Sequence, residues 1–374
     1  MRWNKNLLMI LAGIVLSLNP RAAYADENHR VLMIVMKNDG TNEHDFFVPH
    51  LISVTTNKVE NIATLKGNVM FGSDDKTTAL LGGGHLMVLD RKKLMVIADV
   101  VLTNTYPVVP VTSPDENLAV DSKQGKVYIP VFLKDPYSHA VHFKGSDKMG
   151  FLEVDWKKSA KRIIPIPFDC DRVISLPNAI GAEDGGSVTI YDEADYKPLL
   201  HFADATPDRF YPFETGRSDY YYVPDLGLFE SRASSSQFQL TDRNLSTNDI
   251  NPLQIVITNS PFSTAFDYDG EFFIRNINGK PHWIWLENDG GTNGSATSKI
   301  VMADMESGKA TLREPLDKKA YSRFMPNADA SNVYFFDAAA GQIYSFDRNS
   351  KTTSLFFKLP FITWSGGWTF VDAD

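Results

Sequence analysis

The chain has 374 residues, of which 46 are acidic and 37 basic, giving a formal net charge of −9, and it contains a single cysteine. An acidic surface repels phosphate backbones, and no basic cluster is interleaved with aromatic residues, so nucleic acid is not an expected partner. Cys170 alone can form neither an internal disulfide nor a metal site of several thiolates. We expect it to be a small buried hydrophobe, with a reactive or intermolecular thiol as the alternative.

The first 25 residues have the pattern of a signal peptide rather than of a folded segment. Arg2 and Lys5 form a basic start, residues 7–18 are apolar, and Ala23-Tyr24-Ala25 is a small-x-small cleavage site. About a dozen apolar residues are too few to span a bilayer. We expect cleavage after Ala25, export to the periplasm or the exterior, no membrane insertion, and a mature chain of net charge −12.

The chain then repeats one motif: an apolar run ending on a corner residue, a polar turn, and a second apolar run. The clearest copy is residues 149–170, MGFLEVDWKKSAKRIIPIPFDC, with Asp155 at the corner. Alternating side chains on both sides of a short polar turn predict two half-buried antiparallel strands. An isolated hairpin is marginal in water, so this one must pack against further copies.

Further copies follow along the chain. The first, HLISVTTNKVENIATL, has Thr55 at the corner, whereas six others have aspartate at intervals averaging about 51 residues. These are Asp90, Asp155, Asp192, Asp242, Asp304 and Asp347. A period of roughly 40 to 50 residues with a β pattern is typical of four-stranded propeller blades. We expect the corner side chains to accept backbone N–H groups in the turns rather than to act in catalysis.

Inner strands are predicted before most of these hairpins, for example in NLAVDSKQGKVYIPVF and RFMPNADASNVYFFD. The copy at Asp192 is the weakest, because DRVISLPNAIGAEDGG must supply two strands, and we expect it to be partly irregular. Near the start, HRVLMIVMK is a second strand without a first, and the terminal SGGWTFVDAD is a first strand without a second. The sequence therefore predicts an all-β protein, one propeller domain over residues 26–374, whose seven blades are closed by pairing of the terminal strands. Six or eight blades are the alternatives.

The residue patterns offer no self-sufficient active site. His139 and His142 could give two imidazoles to zinc or copper, but no third ligand is identifiable. Residues 287–295, ENDGGTNGS, gather oxygen donors without the spacing of a calcium loop. The three glycines before His85 are expected to permit a tight bend. We therefore assign no catalytic residue and no metal site to this chain.

Aromatic residues give the clearest candidate for a binding surface. Alternate residues of a strand share a face, so Trp283 and Trp285 point the same way. Packing between blades is one interpretation, and an aromatic-lined mouth or docking surface is the other. On the second interpretation the candidate ligand- or partner-binding residues are Arg217, Asp219, Tyr220, Trp283, Trp285 and Trp368.

Three stretches resemble a known family. VDWKKSAKRIIPIPFDC, EDGGSVTIYD and the terminal GGWTFVDAD are similar to segments of the heavy chain of the periplasmic quinoprotein amine dehydrogenases, and the wider repeat pattern resembles YVTN-type propellers. The resemblance implies a scaffold that helps to shape a substrate channel and carries no cofactor of its own. It also implies a partner, a small cysteine-rich light chain that carries a tryptophan-derived quinone.

The cysteine content departs from this family. The family pairs the cysteine matching Cys170 with another in the next strand, where residues 181–184 here are Gly-Ala-Glu-Asp, so that structural disulfide is not expected. Two alternatives stay open. One is a stand-alone ligand- or protein-binding propeller without catalysis, and the other is a propeller hydrolase, such as a lactonase, with a metal in its central channel.

Overall fold

The computed structural model describes residues 29–38, 47–74, 76–102, 115–133, 149–167, 170, 172–176, 178–184, 187–202, 219–223, 227–233, 238–243, 250–251, 272–289, 297–307, 309–316, 323–361 and 363–373. Within these ranges every helix or strand element is a β-strand, which confirms the predicted all-β class. The predicted signal peptide lies outside them.

The strands form seven sheets, and each sheet is built mainly from strands that follow one another in the chain. The first contains β1 (Arg30–Asn38), β2 (Phe47–Thr55), β3 (Val59–Thr64) and the last strand, β29 (Thr363–Ala373). The second contains β4 (Val69–Ser73), β5 (Thr77–Gly82), β6 (His85–Asp90), β7 (Met95–Val101) and β8 (Asp115–Glu116). The third contains β9 (Ala119–Asp121), β10 (Lys126–Phe132), β11 (Met149–Asp155) and β12 (Ala160–Pro165).

The remaining four sheets each have four strands. The fourth contains β13 (Arg172–Leu176), β14 (Ala179–Asp184), β15 (Ser187–Asp192) and β16 (Pro198–Phe202). The fifth contains β17 (Asp219–Val223), β18 (Gly227–Ala233), β19 (Phe238–Arg243) and β20 (Ile250–Asn251). The sixth contains β21 (Phe272–Ile277), β22 (Lys280–Asp289), β23 (Thr297–Asp304) and β24 (Lys309–Pro315). The seventh contains β25 (Phe324–Pro326), β26 (Asn332–Asp337), β27 (Gln342–Asp347) and β28 (Thr352–Lys358).

Each sheet is an antiparallel meander, except that the short β8 lies parallel to β4. The chain after β8 passes close over β4. A Cβ atom on Gly72 would lie 1.9 Å from the carbonyl oxygen of Leu118, so no larger residue fits there without moving the backbone.

The two ends of the described chain lie side by side in the first sheet. The strand order there is β29-β1-β2-β3, and β29 pairs antiparallel with β1, with Trp368 opposite Val35 and Thr369 opposite Ile34. The sequence predicts this pairing, because each terminal strand completes what the other lacks.

The fourth sheet is more regular than the sequence suggests. We expected partial irregularity around residues 171–186, but β13 and β14 pair in unbroken register from Arg172 opposite Glu183 to Leu176 opposite Ala179. Two residues connect them, and Asn178 adopts a left-handed backbone with φ of 56°. A side chain that tolerates this conformation makes so short a turn feasible, and few residues therefore suffice for two strands.

The connections differ between the two sides of each sheet at which the strands begin and end, and 'edge' is used below for these two sides. In an antiparallel meander, successive connections lie at opposite edges. The connections from first to second and from third to fourth strand contain six residues or fewer, and we call their edge the turn edge. Described strands that are separated by more than six residues of sequence, such as β1 and β2 or β10 and β11, are joined at the opposite edge, the loop edge.

The corner residues make the predicted turn bonds. In five of the six corner aspartates, Oδ1 accepts one or two backbone N–H groups of the following turn at 2.7 to 2.9 Å. These are Asp90, Asp155, Asp192, Asp304 and Asp347. In the degenerate copy, Thr55 Oγ1 accepts the N–H groups of Asn57 and Lys58 at 3.4 and 3.3 Å. The structural role is confirmed at these corners, and the side chain of Asp242 lies outside the described residues.

Neighbouring sheets pack face to face through apolar side chains. Separate clusters join the first sheet to the second, the second to the third, and the third to the fourth. Two others join the sixth to the seventh and the seventh back to the first, and β13 of the fourth sheet contacts β17 of the fifth. Each of these contacts joins sheets that are consecutive in the chain, apart from the one between the seventh and the first.

The degenerate corner offers a test of this repeat structure. Thr55→Asp should increase the free energy of unfolding by about 0.5 kcal/mol, because a carboxylate accepts turn N–H groups at shorter distances and attracts Lys58. Asp155 shows the expected geometry at an equivalent corner, because its carboxylate lies 2.9 Å from Lys158 Nζ. Urea unfolding should show a higher midpoint with an unchanged slope. Thr55→Asn is the control, because it supplies an oxygen acceptor without the negative charge. An aspartate variant no more stable than the native protein would contradict this role.

Candidate functional site

The charged and aromatic candidates of the fifth sheet belong to its loop edge. Asp219 and Tyr220 are the first residues of β17, which follows the long connection 203–218. They lie opposite Ser231 and Glu230 of β18. Arg217 and the side chains of Asp219 and Tyr220 lie outside the described residues, so the backbone alone places this pair.

Trp283 and Trp285 form a stacked pair inside the sixth sheet's packing. Both belong to β22, are at most 1 % exposed, and have ring centroids 4.1 Å apart with 24° between the planes. Ile284 and Leu286, which alternate with them, pack towards the seventh sheet. Because neighbouring residues of a strand point to opposite faces, the tryptophans cover the other face of this sheet. They share a face as predicted, and that face is buried.

Trp368 lies in a different interface. It belongs to β29 and packs between the first and seventh sheets, with its ring 4.8 Å from that of Phe336 in an edge-to-face arrangement. Its carbonyl oxygen accepts a hydrogen bond of 2.9 Å from Arg323 Nη1. The three tryptophans therefore do not share one surface, and their assignment to binding stays a prediction.

A polar cluster that the sequence did not single out joins the third and fourth sheets. Glu153, buried on β11, accepts hydrogen bonds from Arg162 Nε at 2.8 Å and Nη2 at 3.0 Å, and Lys126 Nζ lies 3.2 Å from its Oε2. The hydroxyl of Tyr196, in the turn after β15, donates to the same carboxylate. The Arg162 guanidinium also lies 4.8 Å from the Tyr196 ring centroid. This cluster holds a turn of one sheet against a strand of the next.

These contacts shift the titration of the cluster. Burial by itself would raise the pKa of Glu153, but hydrogen bonds from Arg162, Tyr196 and Lys126 outweigh it and lower the pKa. Burial, followed by the hydrogen bond to Glu153, raises the pKa of Tyr196 to about 12. The Glu153 carboxylate is therefore charged at neutral pH, and the Tyr196 hydroxyl keeps the proton that it donates.

A second carboxylate sits in the same interface with the opposite tendency. Glu193, also buried, accepts hydrogen bonds from the Tyr128 hydroxyl at 2.6 Å and from Gln124 Nε2 at 2.7 Å. Burial raises the pKa of Glu193, the Tyr128 hydrogen bond opposes this, and the charge of Asp121 adds to the rise. Two buried carboxylates thus join the same pair of sheets, and the pKa of Glu153 is lowered whereas that of Glu193 is raised.

This cluster joins two sheets and does not present an exposed reactive group. Glu153 and Glu193 are 6 % exposed and their donors come from the two sheets that they join. The sequence carries one signal for it, a glutamate in the middle of the apolar run MGFLEVD. Such a residue must find buried donors, but a sequence does not show which turn of the neighbouring sheet supplies them.

The other candidates have mixed outcomes. Cys170 is buried as predicted, and its thiol donates to the carbonyl oxygen of Arg172 at 3.2 Å. Gly83 and Gly84 have φ of 59° and 80°, which confirms the tight bend before His85. His139 and His142 lie outside the described residues. In the described ranges, no three histidine, cysteine or acidic side chains are grouped to hold a metal ion.

Among the residues that the structure describes, none belongs to a helix with the length and apolar character needed to cross a bilayer.

Comparisons with known proteins found similar solved structures but no matching protein family. No family model and no curated protein match the chain. Among solved structures, the dihydro-haem d1 dehydrogenase NirN matches at 15 % identity and a TM-score of 0.47, covering 86 % of this chain and 62 % of its own. Hydrazine synthase of Kuenenia stuttgartiensis matches at 11 % identity and 0.49, covering 76 % and 78 %, respectively. Hsv2 of Kluyveromyces lactis matches at 9 % and 0.47, covering 75 % and 73 %.

The chain thus spans less than two thirds of the length of NirN. At these scores the matches carry no argument about family or activity, and the fold rests on the strand order and sheet packing described above.

The two buried carboxylates should respond oppositely to substitution. Glu153→Gln should lower the free energy of unfolding by about 2 kcal/mol at pH 7, because it weakens charge-assisted bonds to Arg162 and Lys126. The folded pKa of Glu153 is depressed, so its contribution is present above the ordinary value of 4.5 and lost as pH falls below it. The deficit of this variant should therefore shrink in acid, which urea titrations at several pH values would measure.

Glu193→Gln is the matched comparison in the same interface. The folded pKa of Glu193 is raised, so its contribution is present below 4.5 and lost as pH rises through the folded value. Relative to the native protein, this variant should therefore gain stability between acid and neutral pH. Parallel pH profiles for the two variants would contradict the assignment.

Proposed function

We propose that the seven sheets are the blades of a closed propeller, and that the protein is an exported scaffold whose loop edge binds a partner subunit. In the form that the resemblance implies, the partner is a small cysteine-rich chain carrying a quinone cofactor, as in the quinoprotein amine dehydrogenases. This chain would supply the docking face and part of the substrate channel.

The packing of the sheets supports the ring. Apolar clusters connect the first four sheets in chain order and connect the sixth to the first through the seventh. The β29–β1 pairing places strands from both ends of the chain in one blade. Closure leaves no strand edge open at the seam, which is how propellers avoid association through edges.

The difference between the edges carries the proposal of a binding face. The turn edge consists of short turns whose N–H groups are bonded to corner side chains. It is also bonded across sheets, because Asp74 of the second sheet accepts the N–H of Ser122 in the third at 2.7 Å. Described strands that are separated by more than six residues of sequence are joined at the other edge. Binding residues concentrate on loops that a rigid scaffold positions, so the loop edge is the functional face.

The six candidate residues divide into two roles on this proposal. Asp219 and Tyr220 begin β17 at the loop edge of the fifth sheet, and on this proposal they and Arg217 would contact the partner or the substrate. The buried Trp283, Trp285 and Trp368 would support that face from within the sheet packing. An amine substrate would be attracted by the acidic chain and by aromatic side chains near the cation.

Cys170 favours the second candidate, a stand-alone binding propeller without a catalytic partner. The family resemblance implies a disulfide at this position, whereas Cys170 is the single cysteine of the sequence and is buried. Both candidates use the same face, and they differ in whether a cofactor-bearing subunit joins it.

The experiment is to express the tagged protein with its neighbouring genes and to analyse what copurifies. The scaffold function predicts a small cysteine-rich subunit and amine-dependent reduction of a redox dye. The Asp219→Ala/Tyr220→Ala double variant should reduce recovery of the subunit about tenfold. Asn349→Ala, at an exposed position of the turn edge, should not change it.

The outcomes separate the candidates. Absence of both the subunit and dye reduction would exclude the amine dehydrogenase function and leave the stand-alone binder. An equal loss with Asn349→Ala would contradict the loop edge as the binding face. Metal analysis of the same preparation tests the hydrolase alternative.

A further inference from the structure

Strand β7 exposes an unusual amount of apolar surface for an outer strand. Among the described residues, six large hydrophobic side chains are more than a third exposed, and four of them lie on β7. They are Met95 at 53 %, Val96 at 37 %, Ile97 at 44 % and Val101 at 54 %. Leu199 on β16 and Leu355 on β28 are isolated by comparison. Exposed apolar residues that are contiguous, unlike single ones, mark interaction surfaces.

The outer side of the β7 backbone is available around Met95 to Ile97, whereas the carbonyl oxygen of Val101 accepts a hydrogen bond from Lys161 Nζ. In the second sheet the strand order ends at β7, so within the described structure no further strand lies along its outer edge. The register between β6 and β7 shifts so that Leu89 faces Val96 and Val88 faces Ala98, which leaves Ile97 without an opposite residue on β6. Natural edge strands use charges or bulges to prevent such pairing, and β7 has this bulge but no charged residue from Leu94 to Ala98. The outer strand of the third sheet, β12, follows that rule with exposed Lys161 and Arg162.

Charge determines which partner strand fits this edge. Lys93, 68 % exposed, precedes the run Met95-Val96-Ile97, and Asp99, 52 % exposed, follows it. If two copies of β7 lie antiparallel with Val96 opposite Val96, Met95 faces Ile97 of the other copy. The same register brings Lys93 of each copy close to Asp99 of the other. The segment is therefore complementary to itself in both apolar and charged positions.

We propose that β7 pairs with β7 of a second copy across a two-fold axis, so that the protein is a dimer joined at the outer edge of its second sheet. Such an interface is isologous, with each contact made twice. It uses main-chain hydrogen bonds for strand addition and the apolar side chains for burial. It lies on the rim of the molecule, apart from the loop edge, and its success or failure is independent of the function proposed for that edge.

The test is the molar mass of the purified mature protein in solution, measured by sedimentation equilibrium over a range of concentrations. The native protein should be a dimer. Ile97→Lys should raise the dimer dissociation constant about tenfold or more, because it places two lysines near the axis. Leu355→Lys, at a position of similar exposure on the outer strand of the seventh sheet, is the matched control and should leave the constant unchanged. Thermal unfolding of both variants checks that they are folded.

Charge reversal tests the register. Lys93→Glu and Asp99→Lys should each weaken the dimer about twofold to tenfold, since each change places like charges together twice. The double variant should return the constant towards the native value. This rescue is the decisive result, because Asp99→Lys also removes the contact with His85 at 3.1 Å and Lys93→Glu removes the ion pair with Asp90 at 3.6 Å.

Three results would overturn the proposal. The first is a native protein that is monomeric at all concentrations. The second is a dimer that survives Ile97→Lys or is lost equally with Leu355→Lys. The third is a double variant whose dimer is no tighter than that of either single variant.

Discussion

Six of the seven sheets, those whose side chains the structure describes, pack apolar residues on both faces, and this constraint governs how the sheets are arranged. In the second sheet, Leu80 and Leu89 pack on the first sheet, whereas Ala79 and Val88 pack on the third. A four-stranded meander with two such faces needs a neighbour on either side. An open row of sheets would leave one apolar face bare at each end, and a ring leaves none. The packing of the seventh sheet on the first removes that exposure at the seam.

The same constraint explains why the two edges of the sheets differ. Sheets that pack closely bring their turns near one another, so the turn edge becomes a set of bonds between neighbours, such as the one from Arg275 Nε of the sixth sheet to the carbonyl oxygen of Asn327 in the seventh at 3.3 Å. Insertions there would break contacts on two sides. Connections at the loop edge are free to lengthen, since the strand pairs that they join are already held at the other end.

The sequence predicts the repeat well because its signal is local. A corner aspartate needs only N–H groups two or three residues away, and its position in the chain therefore reveals the turn. Even Thr55, which breaks the aspartate pattern, keeps an oxygen acceptor at the same place. The pairing of β29 with β1 was also accessible, because each terminal segment is an incomplete blade. The regular strands around Asn178 were missed, since a two-residue turn with a left-handed residue needs fewer residues than we allowed.

Contacts between blades were much less accessible. Trp283 and Trp285 share a face, as alternation requires, but alternation does not tell whether that face meets solvent or a neighbouring sheet. Nor could the sequence connect Glu153 with Tyr196, which are 43 residues apart and whose contact depends on how two sheets pack. Candidate binding residues chosen by composition alone therefore included buried ones.

The two carboxylates between the third and fourth sheets show how such a contact can depend on pH. Glu153 has charged donors and contributes most when ionised, whereas Glu193 has uncharged donors and an acidic neighbour, so ionisation weakens its contribution. As pH falls, the gain at Glu193 is made above the ordinary value of 4.5, and the loss at Glu153 follows below it. Because these changes have opposite signs in one interface, they partly cancel between neutral pH and acid.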